Sequence, residues 1–241
     1  MTAALLGPTI RTERLAKQFG PVQAVAEVSL TARPGRVTGF VGPNGAGKST
    51  TLRMLTGLIR PDSGSATVDG RNYRDLSNPA RVLGVVLDIA AAHPGLTARN
   101  HLRTQAALAG VDRSRVDAVL GQVELTAAAD RRVGGFSTGM RQRLALATAL
   151  LGEPAALLLD EPANGLDPAG ILWLRTLLRG FADHGGTVLV SSHVLTELQQ
   201  VIDDLVLIEG GRTRWSGTLP DFTASYPSLE DAYFATLEGA A

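Results

Sequence analysis

The sequence contains no cysteine, which excludes a disulfide framework and any cysteine-ligated zinc or iron–sulfur site. It also lacks net charge: Lys plus Arg and Asp plus Glu both number 23. No global field therefore draws it to nucleic acid or anionic lipid, and any such partner has to be met locally. Long apolar runs are missing too. The most apolar segment, LALATALLGEPAALLLD, is interrupted by Gly152, Glu153 and Pro154, and the N-terminal MTAALLGPTIRTER has no basic region leading into an apolar stretch. The expectation is no membrane span and no export signal. Internal repeats, low-complexity tracts and long charge runs are absent as well. What is present, 241 residues of which 44% are hydrophobic, suffices for one large domain or a domain with a subdomain.

TIRTERLAKQF and VAEVSLTA alternate and are β-branched, and they read as strands. RVTGFVG is a short apolar strand ending in glycine. GKSTTLRMLTGL follows with helical spacing, Leu52, Leu55 and Leu58 recurring on one side, and RPDSG is a turn. ATVDG and VLGVVLD return as strands. From Thr97 to about Leu151 the pattern is helical, with Thr97 and Asp112 as N-caps of two helices and Ser137 as the N-cap of GMRQRLALATALL. AALLLD, TVLVSS and DLVLIEGG are strands again, separated by the helices PAGILWLRTLLRGFA and VLTELQQVID. This order predicts an α/β core with a helical insertion.

The first chemical motif is GPNGAGKST, formed by Gly42, Pro43, Asn44, Gly45, Ala46, Gly47, Lys48, Ser49 and Thr50. It fits G-x-x-x-x-G-K-[ST] between a strand and a helix, the context that a phosphate-binding loop requires. Glycines let successive amides point at phosphate oxygens, and the helix N-terminus adds its dipole. Lys48 is placed to reach the β- and γ-phosphates of ATP, and Ser49 to hold Mg2+. The second motif is AALLLDEP, an apolar strand that delivers Asp160 and Glu161 at its C-terminal end, where open α/β sheets bind ligands. Asp160 is the carboxylate expected to complete the magnesium site, and Glu161 the one that polarises water for attack.

These motifs in this order resemble the nucleotide-binding domain of the ATP-binding cassette (ABC) family. The resemblance covers about Ile10 to Gly217 and implies a P-loop NTPase (RecA-like) core with an antiparallel β subdomain and an inserted α-helical subdomain. It implies a domain over 1–218, with helices at about 89–153, and a short helical tail over 219–241. FSTGMRQR is similar to the family's signature motif LSGGQ, with Thr138 and Met140 at the third and fifth positions. In that family two domains bind head to tail, so Ser137 and Gly139 are implied to meet a partner's γ-phosphate, in a homodimer or a heterodimer with another ATPase subunit. NGLD resembles the D-loop, with Asp167 at the dimer interface; SSHV places His193 like the switch histidine that contacts the γ-phosphate. Phe19 matches the aromatic that stacks on adenine, although a strand-end phenylalanine also fits a core.

One position departs from the family. Asp88 stands where a glutamine is usual, and it reads equally as a magnesium ligand, direct or through water, or as a solvated strand-end residue. Acidic residues there, STGMRQR, NGLDPAGI and the tail SLEDAYFATL resemble ATPases of antibiotic export and self-resistance. The tail also reads simply as an amphipathic helix with Leu229, Ala232, Tyr233 and Leu237 on one face. The implied protein is a cytoplasmic ATPase, peripheral on the inner face of the cell membrane through a membrane-spanning permease subunit, with no direct nucleic acid partner. An importer ATPase, a soluble cassette ATPase acting on DNA or ribosomes, and a small P-loop kinase are the competing readings. The single cassette and absent basic block oppose the second, and FSTGMRQR and NGLD would be idle in the third.

Overall fold

The structure, a computed structural model, describes residues 6–87 and 92–238. Strands β3 (Arg36–Val41), β6 (Ala156–Asp160), β7 (Thr187–Ser192) and β8 (Asp204–Glu209) are nearly continuous apolar runs. Their side chains alternate between two cores. Leu157 and Leu159 enter one cluster and Ala156 and Leu158 the other; Val188 and Val190 divide from Leu189 in the same way, and Leu205 and Leu207 from Val206 and Ile208. Strands apolar on both faces need cover on both faces, which places them at the centre of a layered α/β unit.

With β5 (Leu83–Val86), they form a parallel group in the order β5, β6, β7, β3, β8. Strand β9 (Arg212–Thr218) is antiparallel to β8 and joins this group to the antiparallel layer of β2 (Val22–Ala32), β1 (Ile10–Phe19) and β4 (Ser63–Val68). On the second face, α1 (Lys48–Leu55) contributes Leu52, Met54 and Leu55 to a core shared with this layer. The short α2 (Pro79–Val82) leads into β5. Between β5 and β6 the chain runs through α3 (Ala98–Ala109), α4 (Arg115–Gln122) and α5 (Thr138–Leu150). Their apolar sides share the first cluster with α6 (Pro168–Asp183), whose Leu174, Leu178 and Ala182 recur every fourth residue.

Three expectations are corrected. Helix α1 stops at Leu55 and Gly57 turns the chain at φ +69, so Leu58 is 68% exposed instead of continuing the apolar face. Asp112 does not cap a helix. Its carboxylate accepts the Ser114 N–H at 2.7 Å, an Asx turn ahead of α4. VLTELQQVID yields only α7 (Leu195–Leu198), because Val201 and Ile202 turn into the core and the Asp203 N–H bonds the Val37 carbonyl at 2.8 Å, drawing the chain into β8. Thr97 and Ser137 cap as expected, accepting from the Asn100 and Met140 amides.

The C-terminal stretch forms α8 (Leu219–Thr223) and α9 (Leu229–Glu238). Leu229, Ala232 and Tyr233 of α9 are buried in the first cluster and Leu237 packs against it, which is the expected amphipathic face.

Candidate nucleotide site

Because β3, β6 and β7 run parallel and in register, their C-terminal ends lie side by side: Val41 pairs with Ser192, and Asp160 with Ser191. The phosphate-binding loop leaves after Val41, Glu161 after Asp160, and His193 after Ser192. The sheet therefore brings together three motifs that lie far apart in sequence.

The loop's glycines have separate reasons. At Gly42 a Cβ would sit 2.2 Å from the Ile208 carbonyl, so the loop lies flat on β8 only without a side chain. Gly47 has φ +101 and its Cβ position is 2.6 Å from the Ala24 carbonyl of β2. Gly45 has φ +81 with open space before it. Gly47 caps α1 without any side-chain bond, so the first-turn amides of Lys48, Ser49 and Thr50 keep donors for an anion. Lys48 is buried, and its ammonium closes the loop by donating to the carbonyls of Gly42 at 2.6 Å and Pro43 at 3.2 Å. Burial pushes its pKa below the ordinary lysine range, opposed by the carboxylates of Glu161 and Asp160.

At the strand ends, the Ser191 hydroxyl donates to Asp160 Oδ1 at 2.5 Å and accepts the Glu161 N–H at 3.0 Å. Glu161 sits in the left-handed region at φ +50, rare for a residue with a side chain and here followed by Pro162. That turn aims its carboxylate at the switch segment, where Oε2 lies 2.6 Å from His193 Nδ1. Ser191 was not singled out from the sequence. A hydroxyl at the penultimate position of an apolar strand gives no signal until the strand beside it is known.

Among the described residues no three His, Asp or Glu side chains cluster to hold a metal ion. A cation here would take Ser49 and Asp160 as protein ligands and the rest from a nucleotide and water, the donor set that magnesium prefers. Asp160 fits, since Ser191 occupies one carboxylate oxygen and Oδ2 has no protein partner among the described residues. Asp88 lies outside the described residues.

Ser137 and Gly139 are brought to a different neighbourhood. The Ser137 hydroxyl accepts the Met140 N–H at 3.2 Å, and a Cβ on Gly139 would meet the Gly165 carbonyl at 3.2 Å. Gly165, at φ +77, in turn packs under the Thr138 methyl group. The start of α5 and the NGLD segment thus pack against each other. Asp167 accepts the Gly170 N–H at 2.8 Å as the N-cap of α6. Phe19 ends β1 and is 47% exposed, so it is not a core residue.

The sequence matches the ABC transporter family over residues 25–164. It is 39% identical over 206 residues to the bacitracin transport ATP-binding protein of Bacillus licheniformis, covering 84% of this chain and 67% of that protein. It is 36% identical over 205 residues to the lantibiotic transport ATP-binding protein of Streptococcus pyogenes, covering 84% and 88%. A solved structure of the ATP-binding subunit of an ABC transporter superposes with a TM-score of 0.85 at 26% identity, covering 97% of this chain and all of that one. A nucleotide-free ATP-binding cassette from an ABC transporter shares the fold at 21% identity, with a TM-score of 0.79.

Proposed function

This chain belongs to the ABC transporter family as an ATP-binding subunit that hydrolyses ATP, and on that premise we propose that it powers export of an antibiotic or peptide through a membrane-spanning permease. The relatives named for bacitracin and lantibiotic transport support the cargo class. No helix among the described residues is long and apolar enough to cross a membrane, and the path for cargo in this reading belongs to the permease. A groove of about 320 Å³, lined by Leu58, Val85, Leu87, Leu144 and Ala145 with Gln105 and Arg141 among them, offers that partner a mainly apolar seat, and it would hold the chain on the inner membrane face.

The amides of Gly45 to Thr50 and the Lys48 ammonium bind the phosphates, and Phe19 takes the adenine. Ser49 and Asp160 are the residues that would hold Mg2+; the ion would supply charge neutralisation on the phosphates. Glu161 orients the attacking water, and His193 holds the Glu161 carboxylate and reaches for the γ-phosphate. Two chains share their sites, Ser137 and Gly139 of one facing the phosphates of the other, with Asp167 at the junction. The observation that carries this reading is the 2.6 Å Glu161–His193 contact beside the buried Lys48.

The test is Glu161→Gln, which keeps the hydrogen-bonding shape and removes the base. With ATP and magnesium it is expected to accumulate as a stable dimer with hydrolysis nearly abolished, read by gel filtration and phosphate release. A variant that stays monomeric, or hydrolyses at the wild-type rate, would contradict the assignment. Co-purification of a polytopic protein without its own phosphate-binding loop, from crosslinked native membranes, tests the permease.

A further inference from the structure

The base platform has a support that no motif names. Strand β4 begins at Ser63, which pairs with Ala16, so the last three residues of β1 run on without a neighbour on that side. On the other side the register with β2 slips between Leu15 and Lys17 and again between Lys17 and Gln18. Past the second slip β1 pairs again, Gln18 with Gln23 and Phe19 with Val22, but with its outer edge bare the last side chain is supported from β2 alone. That side chain is Phe19.

Asp62, in the turn before β4, fills the gap. Its N–H donates to the Ala16 carbonyl at 2.9 Å, its Oδ2 accepts the Gln18 N–H at 2.7 Å, and its Oδ1 accepts the Lys17 ammonium at 2.6 Å. Hydrogen bonds from Lys17 and Gln18 hold the Asp62 carboxyl below the usual range, as expected of a carboxylate gripped in its ionised form. Lys17, thus tethered, places its ammonium 5.5 Å from the centre of the Phe19 ring, over one face. Phe19 is 47% exposed, which leaves ring surface for a planar group. Next along β2, the Ala24 carbonyl lies against Gly47, so this hairpin end borders the phosphate-binding loop.

We propose that Asp62 is a positioning residue for nucleotide recognition: through Gln18 and Lys17 it sets the orientation of Phe19 and the face that meets the base. This rests on the reading that Phe19 carries the adenine. Stacking depends on how the two rings lie, so loss of the clamp should weaken binding of the base and leave the phosphates alone.

Titration calorimetry with ATP and with inorganic tripolyphosphate, which has no base, separates the roles. Phe19→Ala and Asp62→Ala are each expected to weaken ATP about five- to tenfold and to leave tripolyphosphate within about twofold. The double variant is expected to be no weaker than Phe19→Ala alone, because both act through one ring. If Phe19→Ala weakens ATP and Asp62→Ala does not, the clamp is wrong and the base platform stands. If Phe19→Ala has no effect, the platform itself is wrong. Equal weakening of both ligands by Asp62→Ala assigns the residue to the stability of its turn and overturns the inference. Should Asp62→Ala melt, Asp62→Asn keeps an acceptor for Gln18, removes the ion pair, and serves the same comparison.

Discussion

Gly42 and Gly45 sit three residues apart in one motif and tolerate a methyl group very differently. At Gly42 the added carbon meets backbone, the Ile208 carbonyl at 2.2 Å, and neither partner can yield without moving β8 or the loop. At Gly45 it meets nothing, and the cost is only that of an L-residue at φ +81, about 1 kcal/mol. Thermal melts without nucleotide should therefore show a small loss for Gly45→Ala and a several-fold larger one for Gly42→Ala. The motif marks both glycines equally, since Ile208 is remote in sequence and only the fold brings it near. His101 makes a second residue-scale case. It is buried between α3 and α5 with Nε2 3.1 Å from the Thr148 hydroxyl, and burial lowers its pKa. The unfolded chain then binds the proton more readily, so this residue's share of stability is complete above the unfolded pKa of about 6.5 and is lost as pH falls through the folded value. His101→Gln, which keeps a polar atom for Thr148, should melt with a flatter pH dependence below about pH 6.5 than the wild type. A parallel pair of curves would place the acid sensitivity elsewhere.

Among whole elements, α9 puts two adjacent aromatic residues to opposite uses. Tyr233 is buried in the cluster shared with α6 and the inserted helices, whereas Phe234 is 52% exposed. Tyr233→Ala should cost about 3 kcal/mol by leaving a cavity, and Phe234→Ala within about 0.5 kcal/mol, as at an ordinary surface position. Denaturant titration of the two variants checks the contrast, and equal losses would mean that α9 is not docked by this face. Leu229, Ala232 and Tyr233 were legible because helical spacing alone puts them together. So were β6, β7 and β8, whose unbroken apolar runs can be satisfied only at the centre of a covered sheet. Strand β9 was missed: RTRWSGT is half solvent-facing and polar, and its pairing comes from the hairpin that Gly210 and Gly211 turn at φ +54 and +73. Helix α7 was overread for the converse reason, since tertiary bonding from Asp203 to Val37 interrupts a segment whose pattern would continue.

Over the whole molecule, the sheet gathers the phosphate-binding loop, Asp160, Glu161 and His193 at the C-terminal ends of its central strands, yet Ser137 and Gly139 lie by the NGLD segment, where their neighbours are Met140, Gly165 and Leu166. The first grouping was legible from motif order, because parallel strands place their C-terminal ends together. The second has no neighbour from the phosphate-binding loop among the described residues, and in the dimer proposed above each site would draw on both copies. Such sharing makes a specific prediction about two defective proteins. Lys48→Ala removes the ammonium from the loop. Ser137→Asp keeps an acceptor for the Met140 amide, so α5 remains capped, but turns a carboxylate toward the partner's phosphates. Each variant alone should be nearly inactive, since both of its sites carry the lesion. Mixed in equal amounts before ATP is added, half of the randomly formed dimers pair one variant with the other. In these, one site joins the intact loop of the Ser137 variant to the intact signature of the Lys48 variant. Phosphate release should then recover to about a quarter of the wild-type rate per chain, from half the dimers carrying one working site of two. If the mixture stays as inactive as its components, the signature start does not complete a site across a dimer, and Ser137 acts only as the cap of its own helix.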